Sequence, residues 1–192
     1  SSVSANTTAG FSIVTYTGTG SAATVGHGLG SVPKVFWTKR RNSAESWGVY
    51  NHTQGAGKFL RLESNNAVDT SSTLWNNTTP TSDVFSIAVG GIANTSGGTY
   101  VAYCFAEKKG YSKFGTYTGN GNVDGPFVYT GFKPAWVMTK RTDAASHWQI
   151  FDNKRSPFNE MDERLKASEN SAEDTNLARD FVSNGFKIRN NN

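Results

Sequence analysis

Thr15-Tyr16-Thr17-Gly18-Thr19-Gly20, followed by Pro33, Thr38-Lys39-Arg40 and Trp47, returns in the same chain as Thr116-Tyr117-Thr118-Gly119-Asn120-Gly121, Pro134, Thr139-Lys140-Arg141 and Trp148. The offset is 101 residues throughout, and Tyr50 with Phe151, Phe85 with Phe186 and Ile87 with Ile188 keep it. A constant offset over so many positions marks an internal duplication. It divides the chain into a polar lead-in that reads as an arm or linker, residues 1–9, a first unit, 10–109, and a second unit, 110–192.

Working outward from the first copy, Phe11 to Thr17 mixes aromatic and β-branched residues, which is a strand signal. The glycines of Gly18-Thr19-Gly20 supply the backbone freedom of a tight turn. Val35 to Lys39, Trp47 to Tyr50, Phe59 to Leu62, Val84 to Val89 and Thr99 to Glu107 continue as short apolar runs split by turn residues. With 20 glycines and 12% aromatic residues, the composition favours the same reading. The expected fold class is all-β, with two tandem related β-sandwich or jelly-roll-like units forming one compact body.

The second copy repeats strand patterns at Phe114 to Tyr117, Phe127 to Tyr129, Ala135 to Lys140 and Trp148 to Phe151. Asn159 to Leu165 departs from them and suggests a helical turn capped by Asn159. Nothing follows that matches Asn94 to Glu107, so the second unit lacks a closing hairpin. An unclosed sheet exposes unpaired backbone. The expectation is that the sequence is a fragment, that Ser1 to Ala9 of a neighbouring copy adds a strand there, or that the open edge is tolerated. The beginning, Ser1-Ser2-Val3-Ser4, has no initiator Met and no signal-peptide pattern, as in a processed product or a cut edge.

The formal charge of +4 is spread over short clusters, Lys39-Arg40-Arg41, Lys108-Lys109 and Lys140-Arg141, rather than along one face. That scatter speaks against a nucleic-acid partner, and no run is long enough for membrane insertion. Cys104 is the single cysteine and lies in an apolar run, where a buried small side chain is expected. The glycine turns lack the Gly-Lys-Ser/Thr element and helix of a phosphate loop. His27, His52 and His147 are far apart, without metal-ligand spacing, and at the constant offset His27 meets Val128. No metal and no cofactor is therefore expected. No Ser, Thr or Cys has a nucleophile context, and no catalytic residue is assigned. Asn-x-Ser/Thr triplets at Asn6, Asn51, Asn76, Asn77 and Asn94 are what this Asn- and Thr-rich composition produces by itself.

Trp37, Trp75, Trp136, Tyr16 and Tyr117 are the aromatic faces to consider for sugar stacking. Trp47 and Trp148 recur between copies beside Val49 and Ile150 and read as core anchors. Trp75 has no partner at the same offset and sits among Asn76, Asn77 and Thr78, so Trp75, then Trp37, leads as a ligand contact.

The strings Gly10 to Gly20 with Val25 to Gly30, and Phe114 to Gly121, resemble a domain of marine-phage and cyanophage virion proteins. Thr-Lys-Arg after the apolar strand, the Asn94-to-Tyr103 hairpin and Asn184-Gly185-Phe186-Lys187 fit the same pattern. The resemblance covers nearly the whole chain from Gly10 and implies a lectin-like β-sandwich in a tail fibre, appendage or decoration. It brings no catalytic or binding residues with it. The expected function is thus a non-enzymatic structural and adhesive module of a virion or extracellular appendage. Its partners would be other copies of itself, other virion proteins and a host-surface glycan. A carbohydrate-binding module and a polysaccharide-degrading enzyme domain are the alternatives.

Overall fold

A computed structural model describes residues 1–190 as strands, turns and irregular segments, with no helix among them. Among the described residues, therefore, no helix is long and apolar enough to cross a membrane. The first unit holds β1 (Ser2–Asn6), β2 (Phe11–Thr17), β3 (Ala23–Gly26), β4 (Val35–Arg40), β5 (Gly48–Asn51), β6 (Lys58–Arg61), β7 (Asp69–Thr70), β8 (Val84–Ile87) and β9 (Thr99–Phe105). The second holds β10 (Phe127–Tyr129), β11 (Trp136–Thr139), β12 (Gln149–Asp152), β13 (Arg179–Val182) and β14 (Gly185–Ile188). The two are separate compact units, divided after Lys108.

In the first unit seven antiparallel strands run in the order β1-β2-β9-β4-β5-β6-β7, and β3 pairs with β8. Alternation decides which face is buried. In β9, Tyr100, Ala102 and Cys104 are wholly buried, while Val101, Tyr103 and Phe105 between them are half-buried on the other face. The inward set meets Val25, Phe85 and Ile87 from the β3–β8 pair, giving a sandwich-like core. Phe36 sits at its centre, with ring centroids of Phe85, Tyr50 and Trp75 at 4.6, 4.7 and 4.8 Å. Burying each such aromatic stabilises the fold by about 1.5–3 kcal/mol. Cys104 is a buried thiol as expected, and burial pushes its pKa up to about 12.

Residues 1–9, read as an arm, do not hang free. Ser2 to Asn6 pair with β2 along their whole length. Val3 and Ala5 close over Gly28, where an added Cβ would stand 2.9 Å from Val3 Cγ1 and 3.4 Å from Ala5 Cβ. The segment proposed for donation to a neighbour is thus already an edge strand of its own sheet.

In the second unit β10, β14 and β13 form one sheet and β11 pairs with β12. Val137, Phe151, Met161, Leu177, Phe181, Phe186 and Ile188 make its core. The strand expected over Phe114 to Tyr117 is absent. Its first-unit equivalent, β2, is held between β1 and β9, and no described strand takes those two places beside Phe114 to Tyr117. The helical turn expected over Asn159 to Leu165 is also absent. Met161 and Arg164 instead form antiparallel bridges with Arg179 and Asp174, so long-range pairing overrides the local capping signal.

Several pairings recur between the units. β4–β5 sets Val35 opposite Asn51 and Thr38 opposite Gly48, and β11–β12 sets Trp136 opposite Asp152 and Thr139 opposite Gln149. Tyr16 meets the Phe85 ring edge-on at 6.2 Å, and Tyr117 meets Phe186 in the same way at 6.4 Å. Elsewhere the spacing slips. Val25 faces Phe85 while Val128 faces Phe186. His27 N–H donates to Asp83 O and Thr130 N–H to Asn184 O, so Thr130 holds in the second unit the bonding position that His27 has in the first. Trp75 and Arg179 also follow similar bonds, at a spacing other than the constant offset. Ala88 N–H donates to Leu74 O and Arg189 N–H to Ala178 O, which aligns Trp75 with Arg179.

Candidate functional site

The leading ligand candidate, Trp75, is wholly buried. Asn76 and Asn77 adopt left-handed backbone, φ 51° and 44°, which short polar side chains tolerate better than most. Trp75 packs edge-on against Phe36 and Tyr50, and its Nε1–H donates to Lys58 O at 3.1 Å. No face is left for a ligand. Trp37 is half-buried on the outer face of β4, tilted against Phe105 with centroids 5.0 Å apart. The structure does not bring the two together, since neighbouring residues Phe36 and Trp37 point to opposite faces of β4. Trp148 is buried as an anchor, Trp47 is half-buried and Tyr16 is buried.

Among the tryptophans considered for stacking, Trp136 is the accessible one, 52% exposed on β11. Val137 beside it turns into the core, so Trp136 and Met138 face outward. Opposite them on β12 lie Asp152 and Ile150, and Leu165 bridges to Ile150. Leu165 is also exposed, and the result is an apolar strip with a flat indole at one end. The cross-strand neighbour of that indole, Asp152, is polar. Asp152 Oδ1 accepts from the N–H of Lys154 and Arg155, each at 3.0 Å, and Oδ2 accepts from Arg155 Nε at 2.7 Å. Arg155 also pairs with Glu173 and donates to Ile150 O at 3.3 Å. Burial acts to raise the Asp152 pKa, but these hydrogen bonds outweigh it and hold the carboxyl below its ordinary value.

The remaining carboxylates with shifted pKa values move the same way. Asp174 is held well below the usual range, chiefly by Arg164, and Glu169 is lowered chiefly by Lys166. A carboxylic acid that donates a proton near neutrality needs the opposite shift. His27 is enclosed, with Nδ1 accepting from Leu29 N–H and Nε2 3.2 Å from Thr81 O. His147 Nε2 lies 3.2 Å from Glu169, and its Nδ1 lies 3.0 Å from Ser168 Oγ. No three metal-ligating side chains converge among the described residues. The Gly18-Thr19-Gly20 turn is pinned by Asn94, whose Oδ1 accepts from Thr19 N–H at 2.7 Å. A shallow groove beside it is lined by Thr17, Thr19, Thr24 and the ring of Tyr16, whose hydroxyl is already donated to Ala93 O.

Sequence reasoning grouped Trp136 with the other aromatics and did not single it out. The available signal was the alternation Trp136-Val137-Met138, in which burying Val137 forces its neighbours outward. Arg179 was missed altogether. It is 2% exposed, stacks on Phe151 at 4.9 Å and donates to Gln149 Oε1 at 2.9 Å and Ala178 O at 2.8 Å. Burial pulls its pKa down.

No curated protein and no solved structure matches the chain. Its whole length, residues 1–192, matches one family, described as a domain of unknown function, and the chain accordingly belongs to the DUF7483 family.

Proposed function

We propose that this chain is a non-enzymatic structural and adhesive module of a phage virion or other extracellular appendage, and that it contacts surface glycans through the Trp136 face. The exposed indole on the outer face of β11–β12, with the Asp152–Arg155–Glu173 group beside it, carries the reading. A flat π-face takes the C–H side of a sugar ring, and fixed polar groups at its rim take hydroxyls. The downward pKa shifts at Asp152, Asp174 and Glu169 favour binding over polysaccharide cleavage. Tandem duplication of one jelly-roll-like unit is the proposed origin of the scaffold. The common register of β4–β5 and β11–β12 and the matched Tyr16–Phe85 and Tyr117–Phe186 contacts support it. The assignment to a virion rests on the Thr-Tyr-Thr-Gly strings and their resemblance to phage structural proteins.

The test is a glycan array followed by calorimetry on the best hit. Binding that weakens at least about tenfold in Trp136→Ala, a loss of about 1.4 kcal/mol, with the thermal midpoint unchanged, is the expected result. No hit, or equal affinity in the variant, overturns the glycan reading.

A further inference from the structure

We infer that β1 of one copy pairs edge to edge with β11 of a second copy, so that the chain assembles head to tail. The inference adds an assembly mode to the proposed structural role and stands on sheet edges; Trp136 of β11 belongs both to its edge and to the glycan face.

A sheet edge is a row of unpaired N–H and C=O groups, and proteins usually protect it by shortness, charge or a covering segment. Most edges here have such protection. β7 is two residues long and carries Asp69. β12 is bonded on its far side to Leu165, and β13 to Met161. β10 has three residues. β1 and β11 differ. β1 has five residues, Ser2-Val3-Ser4-Ala5-Asn6, all exposed and none charged. β11 bonds β12 on one side, and on the other, where β4 bonds β9, no described strand lies.

Strand alternation shows which groups these edges present. Gly18 N–H to Gly98 O and Ala106 N–H to Gly10 O direct the even-numbered residues of β2 to β9. Phe11, Ile13 and Thr15 therefore bond Asn6, Ser4 and Ser2, and the N–H and C=O of Val3 and Ala5 point away from the sheet. Asn153 N–H to Ala135 O directs the odd-numbered residues of β11 to β12. Trp136 and Met138 are left facing the open side.

Two free residues at a spacing of two meet two free residues at the same spacing. An antiparallel pairing with Val3 opposite Met138 and Ala5 opposite Trp136 satisfies all four. It also sets four apolar side chains on one face, among them Val3 and Trp136, which are 42% and 52% exposed. The contact joins two different surfaces and so repeats from copy to copy unless the rotation closes a ring.

Proline tests each edge separately, because it removes the outward N–H and is tolerated on an edge strand whose inward bonds it does not supply. Ala5→Pro silences β1 without touching its bonds to β2, and Met138→Pro silences β11 without touching β12. Sedimentation of the full chain should show a mass that grows with concentration. Each variant alone should remain monomeric, with its apparent dissociation constant raised at least about tenfold. An equal mixture of the two should form a dimer that grows no further, since each supplies the edge that the other lacks. Far-UV circular dichroism and the thermal midpoint check folding, and Val3→Lys with Met138→Lys serve if a proline variant does not fold.

A wild-type chain that stays monomeric at millimolar concentration overturns the inference, as does a mixture that stays monomeric. Self-association of Met138→Pro at wild-type strength overturns it too, by pointing to a β1–β1 contact. Glycan binding by monomeric Ala5→Pro, which keeps Trp136, separates a failure of assembly from a failure of the adhesive reading.

Discussion

His27 shows how a single buried polar side chain ties stability to acidity. Only a neutral ring with its proton on Nε2 accepts from Leu29 N–H while donating to Thr81 O. Burial lowers its pKa below the ordinary value, with Thr81 O and the charge of Asp83 partly offsetting the effect. An unfolded chain therefore binds the proton more readily than the folded one. The contribution is complete above the unfolded pKa of about 6.5, and is lost as pH falls below it. The urea midpoint should drop between pH 7 and pH 5, and His27→Gln should show a smaller drop over that interval. An identical slope in the variant would contradict the account. Trp75 and Arg179 make the opposite point about legibility. Leu74-Trp75-Asn76-Asn77 has the composition of an exposed loop. The two asparagines shape the turn while the indole goes inside, and composition does not report direction. At the matching place in the second unit the buried side chain is a cation, which no apolar pattern reveals.

Strands were legible where their own alternation matched a partner that the chain supplies. β2, β4, β5 and β9 could be read directly because each has a neighbour on both sides. The same Thr-Tyr-Thr-Gly string forms no strand in the second unit, because strand formation is a property of the ladder rather than of the string. β5 and β12 show how far such elements diverge inside a common register. Gly48 lies under Trp75, and an added Cβ would meet Ile92 Cγ2 at 2.6 Å, Thr38 Oγ1 at 2.9 Å and Trp75 Cη2 at 3.1 Å. At the corresponding place in β12 stands Gln149, whose amide oxygen accepts from Arg179. Glycine under indole in one unit thus stands at the register position that glutamine beside guanidinium has in the other. Gly48→Ala should destabilise the first unit by about 1–3 kcal/mol through overpacking, read as a lower denaturation midpoint. An unchanged midpoint would mean that Ile92 and Trp75 yield more readily than a packed core should.

Each unit has a hydrophobic core of its own, and that bears on how the whole molecule comes apart. The first is built on a seven-stranded sheet, the second on sheets of three and two strands. Stability rises with the apolar surface that a core removes from water. Denaturation followed by hydrogen exchange should therefore show two transitions, with the amides of β11 and β12 exchanging before those of β2, β4 and β9. Simultaneous exchange at both sets would show that the units unfold as one.

The position of β9 has a further consequence, for the order of events at synthesis. It is the last strand of its unit to be made, yet it occupies the middle of the sheet, between β2 and β4. Until residue 105 has left the ribosome, β1–β2 and β4–β5–β6 are two half-sheets with no strand to join them. The aromatic faces of Tyr16, Phe36 and Tyr50 stay open for that interval. Nascent chains of such topology gather slowly and meet each other easily, so a pause in translation ahead of Thr99 would cost yield even where every side chain is native.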